Sequence, residues 1–128
     1  MRSRSLTLAL LAPLAVTTAC ASGGRRRPAT DGNSAVLEVR NNFLGPVDLY
    51  AITDAGFPVR IASQVSTSRA QRFRLGPSVI GSAGTVRIIA VPLAENGRAS
   101  TGRIVVRPGD VVQFNISPDL IGSSVFVR

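Results

Sequence analysis

The side chains of this 128-residue sequence with the widest chemical reach are fifteen basic residues, all arginine, seven carboxylates and one cysteine, Cys20. There is no His and no Lys. That removes the commonest general base, the Schiff-base nucleophile and imidazole metal ligands. A serine nucleophile would need a carboxylate as its base, and no Gly-x-Ser-x-Gly elbow occurs. A carboxylate pair, as in glycoside hydrolysis, is the catalytic arrangement left. Its members would come from Glu38, Asp48, Asp54, Glu95, Asp110 and Asp119. Asp54 and Asp110 stand in turn contexts, where Asp bonds to nearby backbone, and Glu95 precedes the turn pair Asn96-Gly97. Glu38 and Asp48 fall on strand faces that also present arginines, so surface pairing accounts for them. Calcium held by turn carboxylates such as Asp54 lacks the dense Asp/Asn loop it needs. The expectation is a protein that is not an enzyme and carries no cofactor or metal, with a carboxylate-dependent hydrolase as the catalytic alternative.

The arginines are the constellation that could bind. Arg60, Arg72, Arg74, Arg87, Arg103 and Arg107 each fall opposite the expected core face of a strand. Four of them, Arg72, Arg74, Arg87 and Arg103, are the candidate anion-binding residues. Gathered on one sheet they would grip phosphates or carboxylates of an anionic glycan or lipid through charge-assisted hydrogen bonds. Scattered, they are a solvated face that also blunts sheet edges. The formal net charge is +8, and from Ser34 onward ten arginines oppose six acids. With no lysine at all, part of that excess reads as a bias toward arginine. Nucleic acid is not expected as a partner. Single-strand binders interleave aromatics with basic residues, whereas Phe73, Phe114 and Phe126 are needed for the core.

Cys20 excludes an intramolecular disulfide, being the sole cysteine. It follows a complete secretory leader over residues 1–19. Arg2 and Arg4 make a positive start, separated by serine and so not a twin-arginine pair, which points to general secretion. Leu6 to Val16 is an eleven-residue apolar run. At about 1.5 Å per residue it spans roughly 16 Å as a helix, too short for a bilayer core of about 30 Å. Val16-Thr17-Thr18-Ala19-Cys20 resembles the lipobox of bacterial lipoprotein precursors, with Ala19 as the usual small residue and Thr17 where Leu is common. The resemblance covers residues 1–20 only. It implies that the Cys20 thiol receives a diacylglycerol and that the peptide is cut just before it. The membrane, reached through this lipid, is then the first partner, with envelope proteins or an anionic glycan or lipid as further ones. The expected location is the cell envelope, outside the cytoplasm. Ala21 and Ser22 lack the Asp that favours inner-membrane retention, so the outer membrane is favoured where a cell has one. Residues 20–33, small, polar and rich in Gly and Pro, read as a flexible tether carrying Arg25, Arg26 and Arg27.

The elements that must position the arginines lie in residues 34–128, and their hydropathy alternates with period two. Strands are expected at Ala35–Arg40, Val47–Thr53, Phe57–Ala62, Arg69–Leu75, Thr85–Leu93, Gly102–Arg107, Asp110–Ile116 and Ser124–Val127. Pro58 marks an edge or a strand start. Asn96-Gly97 signals a tight hairpin, both residues tolerating positive φ, and Pro108-Gly109 fits the centre of a type II turn. The stretch from Pro77 to Gly84 reads as a loop with at most one helical turn. Seven or eight short strands favour an all-β fold, a small antiparallel sandwich of immunoglobulin-like architecture, with a small barrel as the alternative. Val86, Ile88 and Phe114 are expected in the core.

Overall fold

The structure is a computed structural model that describes residues 32–128. The leader, Cys20 and the arginine run at 25–27 lie outside the described residues. Eight strands form: β1 (Ala35–Asn41), β2 (Val47–Ile52), β3 (Pro58–Val65), β4 (Ala70–Leu75), β5 (Thr85–Pro92), β6 (Ala99–Val105), β7 (Val111–Ile116) and β8 (Ser124–Val127). One short helix, α1 (Pro77–Ile80), precedes β5. The strands make two four-stranded sheets, β4-β1-β7-β8 and β3-β2-β5-β6. They face each other as a small β-sandwich; the sheets do not close into a barrel.

The alternation of the sequence builds the core directly. Leu37 and Val39 of β1, Leu75 of β4, and Val112, Phe114 and Ile116 of β7 are fully buried from one sheet. Val47, Leu49 and Ala51 of β2 meet them from the other, with Val86, Ile88 and Ala90 of β5. Side chains in between point to the outer faces, as period two requires. α1 is a single turn with Pro77 at its start, where a missing N–H costs nothing. It caps one end of the core with Val79 and Ile80 and is ended by Gly81 at φ +67°.

Four expectations need correction. Pairing is antiparallel except between β1 and β7, which run parallel with Leu37 opposite Val112 and Val39 opposite Phe114. Sequence alternation is blind to strand direction. The Asn96-Gly97 turn is not a two-residue hairpin: β5 ends at Pro92 and β6 begins at Ala99, and only Gly97 of the pair has positive φ, +131°. β6 therefore starts three residues earlier than Gly102, which lies inside the strand at φ +69°. There the ladder is irregular, and the Ile88 amide donates to the Thr101 hydroxyl at 3.0 Å instead. Phe126, expected inside, is 60% exposed, because its register partner Gln113 lies on the outer face. Pro58 does open an edge strand, β3. Gly109 has φ +92° and the Asp110 amide donates to the Arg107 carbonyl at 3.1 Å, as a type II turn demands.

Candidate anion-binding surfaces

The two sheets divide the candidate arginines between them. Arg72 and Arg74 lie on β4, at the edge of the first sheet; Arg87 and Arg103 lie on β5 and β6 of the second. No shared face holds all four.

On the first sheet, alternation aims Glu38 of β1, Arg72 of β4 and Gln113 of β7 outward in one row, since Glu38 is opposite Arg72 on one side and Gln113 on the other. Arg72 forms an ion pair with Glu38. The Gln113 amide donates to Glu38 Oε2 at 2.8 Å, and Arg128 Nη2 stands 3.5 Å from the same oxygen. The Gln113 hydrogen bond, with the Arg72 and Arg128 charges behind it, holds the Glu38 carboxyl below its ordinary range against a smaller opposing effect of burial. A carboxylate so placed already supplies the anion that Arg72 would otherwise seek. Arg74 lies one register row away, opposite Val36.

On the second sheet, Arg87 and Arg103 are Cα partners across β5 and β6. Both are exposed, each flanked by residues that point inward, Val86 and Ile88 for the first and Ile104 for the second. They line a concavity of about 220 Å³ with Ile52, Thr53, Gly56 and Thr85. Asp54, from the β2–β3 turn, lines it as well. Neither guanidinium makes an ion pair or hydrogen bond among the described residues. Arg60 sits one row along the same outer face and is occupied. Its Nη2 donates to the Tyr50 hydroxyl at 2.9 Å, lies 3.6 Å from Asp48 Oδ2, and its guanidinium covers the Tyr50 ring at 5.4 Å from the centroid. The Tyr50 hydroxyl and the Asp48 charge raise the already high pKa of Arg60 further. Asp48 is only 8% exposed and accepts a 2.9 Å bond from the Gln64 amide, which fixes a residue at positive φ (+53°) at the β3 bulge.

The remaining carboxylates serve loops. Asp110 Oδ2 accepts from the Arg107 amide at 2.8 Å. Asp119 accepts from the Ser117 hydroxyl and, at 3.0 Å, from the Gly122 amide; these bonds hold its carboxyl below the ordinary range, the Ser117 bond foremost. Among the three concavities described, the two that carry a carboxylate carry one each, Asp54 and Glu38. No group of three or more His, Cys, Asp or Glu side chains converges among the described residues. The largest of these three concavities, about 530 Å³, lies beside α1 and is lined by Asn33, Gly84, Val105 and Arg107 among others.

Sequence reasoning missed Arg128 and the Tyr50–Arg60 contact, since both depend on which strands become neighbours. The in-register pairing of Arg87 with Arg103 was equally hidden by the Gly102 irregularity, which shifts the alternation of β6. The chain matches no protein-family model, and no curated protein matches its sequence.

Proposed function

We propose that this chain is a lipid-anchored, exported β-sandwich, a non-catalytic binding or envelope-structural module held at a membrane surface through Cys20. The observation that carries this reading is the placement of the sole cysteine directly after a complete leader, within Val16-Thr17-Thr18-Ala19-Cys20. Two or more acyl chains, each adding about 0.8 kcal/mol per buried CH₂, anchor stably where one is marginal. A sandwich whose apolar core closes on itself suits a domain that must stand outside the cytoplasm without a disulfide. The test is metabolic labelling with a fatty-acid analogue. The unmutated chain should take up label and Cys20→Ser should lose it; label retained by the variant overturns the anchor.

A second reading, recognition of an anionic glycan or lipid, is favoured by one observation: Arg87 and Arg103 face each other and neither forms an ion pair among the described residues.

A further inference from the structure

Two guanidinium groups in register on neighbouring antiparallel strands repel, because directly opposed side chains stand only about 4.5–5.5 Å apart at Cβ. On the first sheet the equivalent row holds a carboxylate, Glu38, within ion-pairing distance of both Arg72 and Arg128. On the second sheet Arg87 and Arg103 meet across β5 and β6 with no carboxylate within ion-pairing distance among the described residues. The one acid nearby, Asp54, has its Oδ2 only 3.7 Å from where a Cβ on Gly81 would stand, so it faces the α1 turn. With Asp54 counted, the concavity still holds one net positive charge.

We propose that Arg87 and Arg103 form a seat for the phosphate monoester headgroup of an anionic membrane lipid. The chemistry selects phosphate over carboxylate. A carboxylate carries one charge on two oxygens, whereas a phosphate monoester carries up to about two charges on three terminal oxygens and matches two planar forks in both charge and number of acceptors. Thr53 and Thr85 line the same concavity. Its volume of about 220 Å³ exceeds the roughly 30 Å³ share of a single water several-fold, leaving room for a tetrahedral oxyanion.

Position selects the lipid as the source. Asn33, near the point where the chain enters the sandwich, lines one concavity together with Gly84, Val105 and Arg107. Gly84 leads directly into β5, and Thr85 pairs with Val105, two residues from Arg87 and Arg103 respectively. The seat and the chain's entry therefore share one end of the sandwich. Thirteen residue steps lead from Cys20 to Asn33, a reach of at most roughly 47 Å at about 3.3–3.6 Å each. The choice of lipid as source rests on the anchored reading above. The phosphate chemistry does not, and the two fail separately: loss of fatty-acid label bears on the anchor alone, and the melts below bear on the seat.

The test is thermal melting of the full lipidated chain in neutral detergent, in inorganic phosphate against chloride at equal ionic strength. Phosphate at about ten times its Kd should raise Tm by roughly 5–10 °C. Arg87→Gln/Arg103→Gln should weaken phosphate binding at least about tenfold and cut the rise to about 3 °C or less. Arg72→Gln/Arg74→Gln, and Arg25→Gln/Arg26→Gln/Arg27→Gln, should keep it. Arg103→Gln alone, which relieves the repulsion, should melt no lower than the unmutated chain in chloride, so loss of phosphate response in it is loss of binding and not of fold. No rise over chloride, or an equal rise in the double variant, overturns the seat. In nanodiscs of phosphatidylcholine with added phosphatidic acid, the unmutated chain should melt higher than in phosphatidylcholine alone, and the double variant should not. Stabilisation by free phosphate but not by phosphatidic acid overturns the lipid as source.

Discussion

The Gln113 side-chain amide donates a 2.8 Å hydrogen bond to Glu38 Oε2 across β1 and β7, the one parallel pairing among the described strands. Arg72 on β4 and Arg128 beyond β8 close on the same carboxylate, so one side chain ties all four strands of a sheet.

That geometry gives Glu38 a pH signature. Its carboxyl lies below the ordinary value of 4.5, so the stabilisation it brings is complete above that value and is lost as pH falls through the lower folded value. Glu38→Gln should therefore lower Tm most above about pH 5, with the gap to the unmutated chain closing in more acidic buffer. Melts across a pH series check it; a gap independent of pH would mean the carboxylate's charge does not matter.

Phe114 is fully buried at the centre of β7 and Phe126 stands 60% exposed on β8. Phe114→Ala should cost about 3–5 kcal/mol, a large share of the stability of a small domain. Phe126→Ala should change it by less than about 0.5 kcal/mol. Urea denaturation of both variants measures the contrast.

Asn41, at the end of β1, is fully buried and makes three bonds through its side chain. Its Nδ2 donates to the carbonyls of Gly45 at 2.9 Å and Val65 at 3.0 Å, and its Oδ1 accepts from the Phe43 amide at 3.0 Å. Asn41→Ala would strand these groups in the interior, each such loss costing about 1–3 kcal/mol. The expected result is a destabilisation of at least about 2 kcal/mol in urea, with faster amide exchange at Phe43.

Gly84 has φ +65°, and a Cβ there would meet the Val106 carbonyl oxygen at 3.1 Å. That carbonyl belongs to the residue whose amide donates to Gly84 at 2.7 Å. Gly84→Ala should cost at least about 1–2 kcal/mol from the left-handed backbone alone. Gly56→Ala, also at positive φ (+81°) but in open space, isolates the backbone part; the excess loss at Gly84 measures the crowding.

The strands were legible because period two requires nothing but the chain itself: Leu37 and Val39, or Val112, Phe114 and Ile116, mark their inner faces in sequence order. The sites were less so. Arg87 and Arg72 look alike in sequence, each an arginine opposite the core face of a period-two strand. What separates them is the partner strand, which brings Glu38 to one and a second arginine to the other. Asn41 falls just past the expected end of the first strand at Arg40, yet it is a buried latch whose two carbonyl partners lie 4 and 24 residues away. Phe126 read as core from its size. β8 is four residues long at a sheet edge, and its facing is imposed by β7 more than by its own hydrophobicity.

The position of β1 also bears on mechanics. Any pull on the chain ahead of Gly32 enters the fold through β1, which sits between β4 and β7 with six register pairs on each side. Force along that strand loads both ladders in shear at once, where an edge strand would unzip one bond at a time. A domain hauled by its first strand thus yields only when two ladders shear together, and β8, held by a single neighbour, can fray without releasing the grip.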